Sequence, residues 1–390
     1  MSDIYDVVVV GAGIHGAGVA QAAAAAGYRT LVLEQAEIAG GTSSRSSKLI
    51  HGGLRYLEHA ELGLVRECLQ ERALLLELAP ELVELKPFYI PIYRDTRRRP
   101  WQLRAGLSLY AFLGGLGSSA RFRTVPRSAW DALDGLRTQG LERVFQYWDG
   151  QTDDRALTQA VLHSAQDLGA ELLLPAEFLR GELDGDGLNL VIATQTGERD
   201  YRTRVLVNCA GPWVQSILER LEPMPDAVPI DLVQGTHLLL DAPAPAGIYY
   251  LEVPADGRGV FRMPWRGQTL VGTTETLFKG RDPSTVAPLP AERDYLKQVL
   301  SHYFPQLSLT ETAAFAGLRV LPRDEARPFD RGRELILGAD RPSRPRVLSL
   351  YGGKLTSYRA DAAKVLRRLA ASLPARASRV DTRRLRLKPV

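Results

Sequence analysis

Cysteine is scarce. The 390 residues hold two, Cys68 and Cys209. They lie far apart without metal-ligand spacing, which argues against a disulfide framework or an iron–sulfur centre and fits a reducing compartment. No apolar run approaches the roughly 20 residues of a membrane-spanning helix, and the longest, Leu107–Leu116, is too short to cross a bilayer. The chain enters a strand at Tyr5–Val10 almost at once, so no signal peptide is expected. Internal repeats are lacking. Net charge is +4, but the excess is local: Arg94, Arg97, Arg98, Arg99 and Arg104 precede the Leu107–Leu116 run, and Arg376, Arg379, Arg383, Arg384, Arg386 and Lys388 crowd the C-terminus. No nucleic-acid motif accompanies this charge, so nucleic acid is not expected as a partner. A basic stretch beside an apolar helix suits an anionic membrane surface; the competing reading is a solvated face over a core helix. The expected location is the cytoplasm, with peripheral contact at the cytoplasmic face of the inner membrane.

What is present begins with a βαβ unit. Asp6–Val10 is a β-branched run of the kind buried on both faces in a parallel sheet. Gly11-Ala12-Gly13-Ile14-His15-Gly16 follows, then an alanine-rich helix to about Ala26, and a second strand, Thr30–Leu33, ending in Glu34. Gly11 permits a tight turn, Gly13 and Ile14 bring backbone to a pyrophosphate, and Gly16 lets helix and strand pack closely. The helix N-terminus offers N–H groups and partial positive charge to phosphates, and Glu34 suits ribose hydroxyls. This unit alone does not separate NAD from FAD. The loop Gly40-Gly41-Thr42-Ser43-Ser44-Arg45-Ser46-Ser47-Lys48 does, because small hydroxylated residues with two cations can wrap a pyrophosphate and a ribityl chain, and NAD has no ribityl. FAD is therefore the expected cofactor.

Leucine spacing predicts a helix over Leu62–Leu78, and Pro80, Pro87, Pro91 and Pro100 then mark passage into another region. Thr158–Asp167 reads as a helix that Asp153 or Asp154 can cap. Strands are expected at Glu171–Leu174, Leu188–Thr194, Tyr201–Val207 and Val347–Leu350, a mainly antiparallel sheet within Pro229–Gly280, and a last helix over Ser357–Ala371. The fold class is α/β: a Rossmann-like FAD-binding domain with an inserted, mainly antiparallel substrate domain. The expected FAD-binding domain comprises 1–88, 146–214 and 316–390, and the substrate-binding domain 89–145 and 215–315.

The segment from Ser43 through Leu49-Ile50-His51-Gly52-Gly53-Leu54-Arg55-Tyr56-Leu57-Glu58 resembles the signature of FAD-dependent glycerol-3-phosphate dehydrogenases, within the D-amino-acid oxidase-like flavoenzymes. Gly211-Pro212-Trp213, Gln234-Gly235-Thr236-His237, Gly272-Thr273-Thr274, Gly317-Leu318-Arg319 and Tyr351-Gly352-Gly353-Lys354-Leu355-Thr356 match in order. The resemblance covers nearly the whole chain. It implies oxidation of sn-glycerol 3-phosphate to dihydroxyacetone phosphate, with a quinone as electron acceptor. Arg55, Arg319 and Lys354 take the substrate-site positions, fitting a phosphorylated substrate. His237 is the expected proton acceptor, with Tyr56 close by and His51 as the rival. Thr42, Ser43, Ser47, Lys48, Leu49, His51, Gly53, Gly211, Lys354, Leu355 and Thr356 are expected at the flavin; helix N–H groups after Gly353 can stabilise charge on its reduced ring. The chain departs from the pattern in three ways. It stops without the family's helical C-terminal domain, Glu275 replaces the usual aspartate, and Val320-Leu321 intervenes between Arg319 and Pro322. Two alternatives stand beside this reading: a same-fold oxidase or dehydrogenase for another small hydroxy acid or amine, and a non-catalytic FAD-binding subunit.

Overall fold

The computed structural model describes residues 4–115, 117, 120–325, 331, 332 and 334–390; Leu116 lies outside them. Two sheets organise these residues. In the first, Tyr5–Val10 (β1) runs parallel to Thr30–Leu33 (β2) on one side and to Gly197–Asn208 on the other, with Val7 opposite Thr30 and Val205. Every residue of β1 and β2 is buried, as expected of strands covered on both faces. Glu171–Leu173 extends the sheet parallel to β2, and Val347–Tyr351 joins Gly197–Asn208, also in parallel. The hairpins Ala176–Asp184/Gly187–Thr194 and Gly187–Thr194/Gly197–Asn208 add an antiparallel wing.

Helix α1 (Ile14–Ala25) follows β1 and is buried on nearly all sides. Alanines allow that, because helices packed this closely have no room for longer side chains: a Cβ on Gly18 would stand 2.8 Å from the Tyr358 ring. The helix Asp154–Asp167 begins four residues before the predicted Thr158. Asp153 caps it, accepting from the Arg155 and Ala156 amides, worth about 1 kcal/mol. The predicted helix Leu62–Leu78 is present with those bounds, and the last helix runs Tyr358–Leu369.

The second sheet is mainly antiparallel. Ile230–Pro243 lies between Gln268–Gly272 and Glu311–Pro322, and Gly259–Trp265, Ile248–Glu252, Val83–Tyr93 and Leu141–Thr152 continue it. Pro87 and Pro91 do not break the chain here. Both lie inside the strand Val83–Tyr93, whose one flank pairs along its length with Leu141–Thr152 while the other meets Ile248–Glu252 only at Phe88 and Tyr89. On such a half-open flank the missing proline N–H costs least. The expected domain limits at 88/89, 145/146 and 315/316 fall inside Val83–Tyr93, Leu141–Thr152 and Glu311–Pro322, all strands of this second sheet. Both free cysteines are buried.

Candidate cofactor and active site

A cleft of about 1190 Å³ runs from the glycine loop after β1, past the 40–58 segment, to the second sheet. Its cofactor end is built by close approach. A Cβ on Gly16 would lie 1.9 Å from the Gly11 carbonyl oxygen, so only glycine lets α1 start so near the turn. The Ile14 amide donates to Ser43 Oγ at 2.9 Å, and a Cβ on Gly13 would crowd that same hydroxyl. Glu34 closes the other wall: its carboxylate accepts from the Ala12 amide at 2.8 Å and the Ala36 amide at 3.0 Å. A carboxylate has further lone pairs for diol hydroxyls. Thr42 Oγ1 donates to the Leu318 carbonyl at 2.6 Å, tying this loop to the strand that carries Arg319. The cradle fits a dinucleotide, with an N-terminal helix turn for phosphates and a carboxylate for ribose.

All but two of the residues expected at cofactor or substrate line this cleft. Gly11, Gly13, Ile14, Glu34, Thr42, Ser43 and Gly211 lie at one end, and Ser47, Leu49, His51, Gly53, Leu355 and Thr356 in the middle. Gly16 acts from behind, through packing. Lys48 turns away: its ammonium donates to Asp154 and to the Ser44 carbonyl, both at 2.6 Å, in a buried pair beside the Phe315 ring. It thereby folds the loop, and the side chain offers no arm to a pyrophosphate. Removing one member of such a pair typically costs 3–5 kcal/mol.

At the far end His237 is 1% exposed. Its ring stacks on Phe315 with centroids 5.0 Å apart, and Nε2 lies 3.0 Å from Ser47 Oγ. A Cβ on Gly272 would enter the ring at 2.1 Å, so that glycine makes the space for it. Nδ1 has no hydrogen-bond partner among the described residues. Burial, then the Arg319 and Lys48 cations, hold the imidazole well below the ordinary histidine pKa and therefore neutral. Arg319 donates to Thr273 Oγ1 at 3.1 Å and to the Thr274 carbonyl and Glu275 Oε1 at 3.4 Å. The glutamate at 275 thus reaches the arginine as an ion pair. Val320 and Leu321 continue the strand in register with Leu232 and Asp231.

Arg55 and Tyr56 stand on the turn Leu54–His59, entered through Gly53 at φ +76°, where a Cβ would strike the Tyr56 ring. Lys354 Nζ sits 4.6 Å over that ring without a hydrogen-bond partner among the described residues, and burial pulls its pKa below the usual lysine value. His51, the rival base, is held through its backbone, its amide donating to Thr356 Oγ1 at 3.1 Å.

Sequence reasoning did not single out His15, Arg98 or Arg258 as site residues, yet each lines the cleft. His15 Nε2 lies 3.4 Å from Asp361 Oδ2, against Gly353, where a Cβ would meet the imidazole. Its place inside the glycine loop was a usable signal. For Arg258, in a β-rich stretch without a motif, there was none.

Comparison with known proteins agrees with this geometry. The family described as FAD dependent oxidoreductase matches residues 6–359. A glycerol-3-phosphate dehydrogenase of Pseudomonas aeruginosa is 37% identical over 95% of this chain and 72% of its own length. A D-erythritol 1-phosphate dehydrogenase of Brucella abortus is 34% identical over 95% and 74%. Among solved structures, the glycerol-3-phosphate dehydrogenase of Bacillus halodurans complexed with FAD superposes with a TM-score of 0.73 at 25% identity, covering 99% of this chain and 68% of that one. The L-alpha-glycerophosphate oxidase of Mycoplasma pneumoniae with FAD bound gives 0.78 at 16% identity, covering 94% and 95%, a likeness of fold. With the glycine cradle, the Glu34 wall and the cleft beyond them, these matches lead to one conclusion: the chain belongs to the FAD dependent oxidoreductase family.

Proposed function

We propose that this enzyme oxidises the secondary alcohol of sn-glycerol 3-phosphate to the ketone of dihydroxyacetone phosphate and passes the electrons to a quinone. The observation that carries the reading is that a neutral buried histidine and three cations, Arg55, Arg319 and Lys354, line one dinucleotide-sized cleft, with Arg319 acting on the histidine. The alcohol loses a hydride from carbon 2 and a proton from its oxygen. Bound FAD supplies the two-electron acceptor for the hydride. His237 takes the proton: its imidazole is neutral and lines the cleft, with Nε2 and Ser47 Oγ sharing a hydrogen bond that orients the ring. Arg319 orients the reacting oxygen, and Arg55 and Lys354 neutralise the phosphate. The two-part division expected from the sequence, 1–88, 146–214 and 316–390 against 89–145 and 215–315, belongs to this reading.

Anaerobic addition of sn-glycerol 3-phosphate is expected to bleach the oxidised-flavin band of the purified protein. No bleaching, with dithionite still reducing the flavin, overturns the substrate. The Brucella abortus relative makes D-erythritol 1-phosphate the second compound to try. Peroxide formed during aerobic turnover would identify an oxidase in place of a quinone-linked dehydrogenase.

The quinone places the enzyme at a membrane surface, on the cytoplasmic face in this reading. No helix among the described residues is long and apolar enough to cross a membrane. The helix Pro100–Leu113, however, buries Leu103, Leu107 and Tyr110 and turns Trp101 (71% exposed), Leu109 and Phe112 (67%) outward with Arg104. Arg98 and Arg99 before it are paired with Glu58, Glu252 and Glu142, so the charge left for lipid is smaller than the sequence suggests. Ala105, Gly106 and Leu109 also line the cleft, which puts this helix beside the proposed flavin site. Replacing Trp101 and Phe112 together by serine is expected to weaken sedimentation with phosphatidylglycerol-containing vesicles by about tenfold or more. Equal sedimentation of both proteins removes this surface from the reading.

A further inference from the structure

Glu292 lies on the helix Pro290–Tyr303, outside every motif of the sequence, and is 5% exposed. Its carboxylate accepts from Gln234 Nε2 at 2.6 Å, Thr236 Oγ1 at 2.6 Å, Thr274 Oγ1 at 2.7 Å, Thr276 Oγ1 at 2.8 Å and the Leu289 amide at 3.2 Å. All five donors are neutral. Burial pushes this carboxyl up, and the hydrogen bonds from the three threonines and Leu289 overcome it and leave the pKa below its usual value.

The two groups of partners come from the two segments that build the substrate end. Gln234 and Thr236 belong to the strand that presents His237; Thr274 and Thr276 flank Glu275 in the turn that Arg319 grips. A further bond closes the circuit, the Thr236 amide donating to Thr274 Oγ1 at 2.9 Å while that hydroxyl donates to Glu292. Arg319 in turn directs its guanidinium at Thr273, Thr274 and Glu275. Only an ionised carboxylate accepts from four side chains at once; an amide in its place turns one oxygen into a donor. We infer that Glu292 is a positioning residue for the reaction, locking the His237 strand to the Arg319-binding turn so that base and guanidinium keep one geometry toward the substrate. This rests on the proposed function for what the locked groups do, and on the hydrogen bonds alone for the lock.

The test compares Glu292→Gln, which conserves volume, with the unaltered holoenzyme. FAD affinity, read by flavin fluorescence, is expected to stay within about twofold, while flavin reduction at saturating sn-glycerol 3-phosphate slows by about tenfold to a hundredfold. In an Arg319→Lys background the same substitution is expected to add little, because residues acting through one another are not additive. Equal losses in both backgrounds, or no loss, overturn the inference. Thr274→Val, which removes one donor and leaves the carboxylate, is expected to act in the same direction and covers the case in which Glu292→Gln does not fold. A readout without substrate separates this inference from the proposed function. Amide exchange in Glu292→Gln is expected to quicken in 234–237 and 272–276 and to stay unchanged in β1 and α1. Should sn-glycerol 3-phosphate fail to reduce the unaltered protein, the proposed function falls, and exchange alone decides: unaltered protection at both segments overturns the lock.

Discussion

Arg319→Met is expected to lower kcat/KM for sn-glycerol 3-phosphate by about a thousandfold, with FAD content unchanged. The guanidinium is held by the turn at Thr273–Glu275 and lines the cleft. Removing one partner of a charge pair that a bound ligand desolvates costs about 2–5 kcal/mol, and each 1.4 kcal/mol is a factor of ten. The change also removes one of the cations beside Glu275, whose negative charge then disfavours an anionic substrate more strongly. Arg319→Lys restores the charge without the planar fork, so a partial recovery is expected. Stopped-flow reduction under anaerobic conditions measures this. A methionine variant reduced at the unaltered rate removes Arg319 from the reaction site.

His237→Gln is expected to slow flavin reduction by about a hundredfold to ten-thousandfold, the usual contribution of a general base. The pH dependence of the unaltered enzyme follows from the environment of the ring. Burial, Arg319 and Lys48 all disfavour the imidazolium, so the base is free to accept a proton well below pH 6.5. The acid limb of kcat/KM is therefore expected below the ordinary histidine range, with a plateau at neutral pH. Removing the positive charge at 319 removes one of the three causes, so in Arg319→Met the residual activity should show its acid limb moved upward. A limb near 6.5 in the unaltered enzyme, unmoved in the variant, assigns the titration to another group. His51 is the first to test then, by the same substitution.

The nucleotide cradle was legible because local rules specify it. A buried β-branched strand, three glycines at fixed spacing and an acidic residue after the second strand act through backbone geometry within one βαβ unit, and β1, α1 and β2 appear where those rules put them. The helix Leu62–Leu78 followed from its own periodicity. Contacts between distant segments were not legible in the same way. Lys48 stands among hydroxylated residues that suit a phosphate, and only the folded chain shows Asp154 beside it. Pro87 and Pro91 look like breaks until the half-open flank of their strand is seen. Glu292 sits in an ordinary amphipathic helix; its four side-chain partners come from strands and turns whose register no local rule sets.

The parallel strand Gly197–Asn208 joins β1 to Val347–Tyr351, two strands far apart in the sequence. A folding chain must therefore keep valine-rich strands waiting for partners that lie far along the sequence. Pairings of such long sequence separation form slowly and leave apolar surface open to other chains meanwhile. The loop holding Lys354 and Thr356 follows Val347–Tyr351 directly, so this wall of the cleft forms only once that long-range pairing is made. Binding of FAD is accordingly expected to follow that pairing, and the yield of folded enzyme in a cell should rise with flavin supply, since a ligand that binds only the finished fold stabilises it by mass action.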